Sequence, residues 1–250
     1  MIYTAYWGGY FKESPCETIR LCDIPEDIDY VILAFVGPLP DSTLETVFLC
    51  SQYSEDKIKQ WVKDVQARGI KVFMSILDTP QTHWNVVDIP KFAQSVKEIA
   101  LDEWGVDGLD IDAESGMTSN YIESFISLAE NLKLVLGDKP LTYTCYTGTQ
   151  GPDGKILKVI KDKLDWIQLM AYFDDYNEMI NLYNNYKTIM GDKICIGVKA
   201  PVTPLIEVKN LCKWNSNKQG MMLWTINRDV PYYTNKPKFL WSRTISQNIK

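Results

Sequence analysis

The sequence predicts a single closed (β/α)8 barrel over residues 1–250, and three observations carry that prediction. Eight short apolar runs alternate with longer amphipathic ones from end to end. The length of 250 residues suits eight such repeats, and no linker, low-complexity tract or compositional break divides the chain. An open doubly wound sheet loses its main support, because the loop after the first run, WGGYFKESP, has neither a G-x-G-x-x-G nor a Walker pattern.

The apolar runs predict strands at about 2–7, 29–36, 70–77, 106–114, 140–146, 164–172, 193–199 and 219–225. Helices are expected near 15–21, 54–68, 88–103, 118–136, 153–162, 176–189, 204–212 and 236–247. The fourth is the clearest. Ile122, Phe125, Ile126, Ala129, Leu132 and Leu136 recur at three- and four-residue steps, the period of a helix with one buried stripe, and Gly137 closes it. Only about twenty residues separate the last two strands, room for one short helix and no insertion domain, so the barrel mouth should be open there.

Composition narrows the function. Hydrophobic residues make up 46% and charged residues 23%, an ordinary globular balance that needs no disulfide or metal scaffold. With 26 Lys+Arg against 32 Asp+Glu and no basic run, the chain lacks the cationic face that nucleic acid requires. No apolar stretch approaches a membrane span, and MIYTAYWGGY lacks the features of a signal peptide, which leaves localisation open. A monomer is the expectation. Cys16, Cys22, Cys50, Cys145, Cys195 and Cys212 show no C-x-x-C spacing and read as free, mostly buried thiols. His83 is the only histidine, so carboxylates must carry most acid–base chemistry, and no cofactor is implied.

The most informative stretch is Asp107-Gly108-Leu109-Asp110-Ile111-Asp112-Ala113-Glu114. Alternation on a strand sends Asp110, Asp112 and Glu114 to one face and Leu109, Ile111 and Ala113 to the other. The apolar set suits the helix-facing side, so the acids line the interior, with Glu114 at the C-terminal mouth where barrel active sites are built. Three carboxylates spaced roughly 6–7 Å apart in low dielectric cannot all stay ionised, so at least one should hold a proton, as a general acid must. A solvated acidic strand end is the bland alternative. A divalent-metal cluster is another, but no further Asp, Glu or His at a neighbouring strand end completes an oxygen shell.

The pattern D-G-x-D-x-D-x-E on the fourth strand resembles the signature of glycoside hydrolase family 18, the chitinases and endo-β-N-acetylglucosaminidases. Gln168-Leu169-Met170-Ala171-Tyr172 resembles the family's sixth strand, and Gly220-Met221-Met222-Leu223-Trp224 its eighth; Tyr6-Trp7-Gly8 and Ala34-Phe35 also look like family positions. The resemblance spans essentially the whole chain. It implies cleavage of β-1,4 bonds next to N-acetylglucosamine, with the substrate's own acetamide as nucleophile, Glu114 as acid and then base, and Asp112 on the acetamide N–H. It further implies a proton shared between Asp110 and Asp112, and Tyr172 on the acetamide oxygen. Trp224 is then the sugar platform, with Met170, Gln168, Tyr6, Trp7, Phe35 and Tyr143 as further substrate contacts. Tyr10, Tyr146 and Trp84 are expected near the mouth as either packing or sugar-stacking residues, and His83 on the surface.

The chain departs from the family pattern at two places. Ser75-Ile76-Leu77-Asp78 stands where many members have Ser-x-Gly-Gly, and Phe173 follows Tyr172 where many carry Asp or Asn, ahead of Asp174 and Asp175. Both bear on substrate fit. The expected partner is chitin or a chitooligosaccharide, with the chitobiose core of N-glycans as the alternative. Two other classes stay open at this point: a catalytically silent glycan-binding lectin, and a metal-dependent enzyme that uses the acid row as ligands.

Overall fold

The computed structural model describes residues 1–11, 19–78, 83–114 and 120–249. Eight parallel strands close into a barrel: β1 (Ile2–Gly8), β2 (Tyr30–Pro38), β3 (Lys71–Asp78), β4 (Gly108–Ala113), β5 (Leu141–Cys145), β6 (Trp166–Leu169), β7 (Ile194–Lys199) and β8 (Gly220–Trp224). Each pairs with its sequence neighbours, and β1 pairs with both β2 and β8, which leaves no open edge in the barrel. All eight lie where the apolar runs predict them.

The helices follow in order: α1 (Glu55–Ala67), α2 (Ile89–Val96), α3 (Ile122–Leu136), α4 (Pro152–Ile160), α5 (Tyr176–Met190), α6 (Leu205–Lys213), α7 (Pro231–Thr234) and α8 (Leu240–Asn248). The helix expected over 88–103 is α2 continued by π-helical turns over Lys97–Glu103. For the helix expected near 15–21, the described part shows only a 3-10 turn at Leu21–Asp23, and residues 12–18, with Cys16, lie outside the described residues. Helix α7 has no counterpart in the expectations, and neither does a hairpin at the end of β2. Strand β2 overruns the barrel and folds back through a turn at Asp41–Thr43, so that Leu44–Glu45 pairs antiparallel with Gly37–Pro38. Between β7 and β8 the chain carries α6 and no inserted domain. No helix among the described residues is long and apolar enough to cross a membrane.

Side-chain alternation splits the core into two. The larger part lies between strands and helices and takes Tyr3, Ala5 and Trp7 of β1, Leu109, Ile111 and Ala113 of β4, and Leu141, Tyr143 and Cys145 of β5. The smaller fills the barrel itself with Tyr6, Ile32, Ala34, Phe35, Phe73, Trp166, Met170, Tyr172, Cys195 and Met222. Its N-terminal end is plugged by three rings, Tyr30, Phe73 and Trp166, with centroids 5.0–5.7 Å apart. That plug explains Gly108 of the acid motif: a Cβ there would lie 2.6 Å from Phe73 and 2.7 Å from the Pro140 carbonyl oxygen. The plug closes the bottom of the barrel.

Asp107 also has a structural task. Its Oδ2 accepts the Val72 N–H at 2.9 Å, and the same device recurs at Asp29, on the Tyr3 N–H (2.7 Å), and at Asp165, on the Leu141 N–H (2.9 Å). In each case an aspartate just before a strand ties down the start of the preceding one. Three of the eight strand junctions are pinned this way, which holds the register on which the interior acids depend.

Candidate active site

Asp110 and Asp112 are buried in the upper half of the barrel interior and Glu114 is exposed just beyond the end of β4, and the three are treated very differently. Asp110 is fully buried and surrounded by hydroxyls from three other strands. Its Oδ2 accepts from Tyr6 (2.8 Å) and Ser75 (2.7 Å), its Oδ1 from Thr142 (2.6 Å), and Thr144 lies within 3.2 Å of both oxygens. Burial raises its pKa, and the hydroxyl donors pull against that rise. Both oxygens of Asp110 are thus engaged.

Asp112 is buried as deeply but has no such cage. Its Oδ1 is sealed from solvent and has no hydrogen-bond partner among the described residues. Burial, with the charges of Glu114 and Asp110 added to it, drives its pKa well above the ordinary carboxylate range. Burial raises Glu114 as well, while its neighbour Asp112 and the ammonium of Lys199 pull it back. Negative charges on the two oppose each other, so a single proton on the pair relieves both. Hydroxyls occupy both oxygens of Asp110, while Asp112 feels the charges of both Glu114 and Asp110.

Around this pair stand Tyr172, Phe35 and Trp224. Tyr172, at a 3-10 turn over Ala171–Phe173 beyond β6, is nearly buried and lies within the field of both Asp112 and Glu114, which add to the burial that raises its pKa. Trp224 is half-buried at the top of β8, stacked at 5.7 Å on Phe35 and supported edge-on by Tyr6 at 5.4 Å. The peptides Ala34–Phe35 and Trp224–Thr225 are cis. The Thr225 hydroxyl donates to the Tyr6 carbonyl (2.6 Å), and Asn227 receives the Gly8 N–H (2.8 Å), so the ends of β8 and β1 are joined beneath the tryptophan. Beside Phe35 opens a groove of about 480 Å³ lined by Leu39, Phe48, Leu77, His83 and Val86.

Most residues expected at the site point into the barrel, but three do not. Tyr6, Phe35, Met170, Tyr172 and Trp224 belong to the interior set, and Gln168 lies inside with its Oε1 accepting from Thr4 at 3.0 Å. Trp7, next to Tyr6 on the same strand, necessarily faces outward; it is fully buried against Tyr53 and Trp61, with its indole N–H on the Ile19 carbonyl. Tyr143 shares the outward parity of Ile111, its register partner, and gives its hydroxyl to Asp153. Neither reaches the mouth. Trp84 is likewise core, packed on Phe92 and Phe125.

Lys199, Thr142 and Thr144 were not singled out from the sequence; Tyr10 was, as a packing or sugar-stacking residue, and Ser75 as part of a departure from the family pattern. Lys199 tops β7 in register with Trp224, and its ammonium sits 5.4 Å from the Tyr172 ring centre and 5.6 Å from that of Phe173. Burial and the nearby Arg228 lower its pKa, and Glu114 opposes them. Tyr10 lies between Phe35 (6.1 Å) and Phe48 (4.5 Å), and burial and the Glu114 charge raise its phenol. Ser75, Thr142 and Thr144 complete the cage of Asp110. Their signal was parity: each falls at an inward position of its strand, readable only once the inward face of that strand is known.

Of the two departures, Ser75 keeps a role as a donor to Asp110, while residues 79–82 of the following loop lie outside the described residues. Phe173 is 61% exposed at the rim, its ring 4.9 Å from Tyr172. Asp175 caps α5 by accepting the N–H groups of Asn177 and Glu178. Cys145, Cys195 and Cys212 are buried and unpaired, and Cys22 and Cys50 half-buried and unpaired.

The family model of the endo-β-N-acetylglucosaminidase EndoS TIM-barrel domain matches residues 3–218. A probable class II chitinase of Arthroderma benhamiae is 26% identical over 209 residues, an alignment that covers 68% of this chain and 62% of that protein, under two thirds of its length. Among solved structures, a GH18 chitinase from Pseudoalteromonas aurantia superposes with a TM-score of 0.79 at 18% identity, each chain covered completely. A doubly substituted endo-β-N-acetylglucosaminidase from Cordyceps militaris, in complex with fucosyl-N-acetylglucosamine-Asn, superposes with a TM-score of 0.73 at 18% identity, over 100% of this chain and 90% of that one. At such identities the two structures speak for the fold alone.

Proposed function

The chain belongs to glycoside hydrolase family 18, a hydrolase acting on N-acetylglucosamine-containing glycans, and on that premise we propose that it cleaves the β-1,4 bond between two N-acetylglucosamines, in endo fashion and with retention. The observation that carries this reading is the buried Oδ1 of Asp112, which has no hydrogen-bond partner among the described residues and lies one strand repeat below Glu114. The acetamide N–H of the reacting sugar is the donor that fits this oxygen, which sets the acetamide oxygen beside the anomeric carbon. The nucleophile is then the acetamide oxygen of the reacting sugar, which lies on Trp224.

In this mechanism the free Oδ1 of Asp112 accepts the acetamide N–H. That bond favours an ionised Asp112, so the shared proton moves to Glu114 and arms it. Tyr172 donates to the acetamide oxygen and holds it below the anomeric carbon. As that oxygen bonds to carbon, Glu114 gives its proton to the departing glycosidic oxygen, and an oxazolinium intermediate forms over Asp112. Glu114, now a base, takes a proton from water. The water attacks the same carbon and restores the acetamide, so two displacements give net retention. Asp110 and its hydroxyl cage keep Asp112 above them rather than sharing its proton.

The open mouth between β7 and β8 supports endo cleavage of a chain that runs past both ends of the site. Chitooligosaccharide is the first reading. The chitobiose core of an N-glycan is the second, favoured by the family model that matches residues 3–218. A mass-spectrometric digest of chitohexaose and of a high-mannose glycoprotein, with wild type and Glu114→Gln, tests both. Wild-type cleavage at an N-acetylglucosamine–N-acetylglucosamine bond, reduced at least about 10³-fold in the variant, is expected. Binding without cleavage by the wild type would leave a lectin instead, and activity of Glu114→Gln within a few-fold of wild type would remove the acid assignment.

A further inference from the structure

Glu114 has a mechanical difficulty that the rest of the acid row escapes. Asp110 and Asp112 sit within β4, held by ladder bonds on both sides, but the strand ends at Ala113. Its pairing with β5 ends at Asp112↔Thr144, and with β3 at Asp78↔Ala113. The residue that must deliver a proton to one oxygen therefore stands one step past the sheet. A side chain replaces the missing ladder: the hydroxyl of Tyr146, just beyond β5, donates to the Glu114 carbonyl oxygen at 3.0 Å.

Tyr146 is in turn held by a carboxylate on the outer side of the barrel wall. Asp153, fully buried in the first turn of α4, accepts the N–H of Tyr146 (2.9 Å) and of Thr147 (2.8 Å) on Oδ2, together with the Thr147 hydroxyl (2.8 Å). Its Oδ1 takes the hydroxyl of Tyr143 at 2.9 Å. The Asp153 N–H donates back to the Thr147 hydroxyl at 3.1 Å, so loop and helix clasp each other. The turn leaves no slack: a Cβ at Gly151 would lie 2.4 Å from the Thr147 carbonyl oxygen, and one at Gly154 2.0 Å from that of Thr149. The clasp is built of neutral donors around one charge, away from the reacting sugar.

We propose that Tyr146 and Asp153 are positioning residues for catalysis, a brace that runs from α4 through the turn after β5 to the backbone of Glu114. This rests on the reading of Glu114 as proton donor. It assigns the phenol of Tyr146 to the protein, while the ring lies 6.1 Å from that of Phe173. A proton donor displaced by a fraction of an ångström binds its sugar as before but transfers its proton more slowly.

The test is the steady-state kinetics of wild type, Tyr146→Phe, Tyr146→Ala and Glu114→Gln on a fluorogenic chitooligosaccharide. Removing the hydroxyl alone in Tyr146→Phe is expected to lower kcat about 10-fold with KM within about 2-fold of wild type. Wild-type kcat in Tyr146→Phe, or a raised KM in Tyr146→Ala with wild-type behaviour in Tyr146→Phe, would overturn the brace and leave a sugar-stacking ring. If Glu114→Gln keeps wild-type turnover, the acid reading itself fails, which separates the two. A second readout needs no substrate: a crystal structure of Tyr146→Phe is expected to show the Glu114 carbonyl displaced from its wild-type position. An unmoved Glu114 there would also overturn the brace.

Discussion

Asp112 and Asp153 are buried to the same degree on opposite sides of one barrel wall, yet the protein treats them in opposite ways. Asp153 has four donors on its two oxygens; burial raises its pKa, and those bonds pull it back. Asp112 has one oxygen with no partner and the other group of its pair, Glu114, is an acid like itself. A satisfied buried carboxylate staples a turn. An unsatisfied one is a site awaiting a donor, the part given to the substrate's acetamide N–H in the proposed mechanism. The difference lies in the neighbours and not in burial.

The sharpest way to break this comparison is to make both groups neutral. Asp112→Asn is expected to lose at least about 10²-fold in kcat while melting at or above the wild-type temperature, because a repulsive buried charge has gone. Asp153→Asn should instead lose about 2–4 kcal/mol of stability, since an amide cannot accept all four donors. Chemical denaturation together with kinetics measures both effects. Equal stability losses in the two variants would contradict the distinction.

Asp229 is an intermediate case that sharpens it. It accepts the backbone N–H groups of Trp241 (3.1 Å) and Ser242 (2.7 Å) at the start of α8, yet burial raises its pKa to about 6. A folded-state pKa above the unfolded value means that the folded protein binds the proton more tightly. Its contribution is therefore full at about pH 4 and is lost as the pH rises through about 6, on the order of 2–3 kcal/mol in all. Unfolding free energies at pH 4.5 and 7 should show this fall, and Asp229→Asn should flatten part of it. The smallest effect concerns the acid row as a whole: excess chelator is expected to leave turnover unchanged, and a chelator-sensitive rate restored by a divalent ion would return the row to metal binding.

Much of this was legible in the sequence, and the rest was not for a definite reason. On β4 the two faces differ in charge, so alternation alone assigns Asp110, Asp112 and Glu114 to the interior. On β1 and β5 both faces carry large apolar or aromatic residues, and Tyr6 and Trp7 cannot be ranked by chemistry: only closure of the barrel turns Tyr6 in and Trp7 out, and sends Tyr143 toward α4. Lys199 went unnoticed for the same cause.

By itself, the sequence determined what local periodicity can encode. The eight strand runs, the helices between them and the order of acids along one strand are all properties of neighbours in the chain. The tertiary structure decided what depends on residues distant in sequence. Tyr6, Ser75, Thr142 and Thr144 come from three strands to occupy both oxygens of Asp110, while Asp112, two residues on, receives no such donors among the described residues. The brace from Asp153 to Glu114 spans 39 residues of chain. Hydrogen bonds act over about 3 Å of space whatever the distance along the backbone, so the protonation state of this site is a property of the closed barrel.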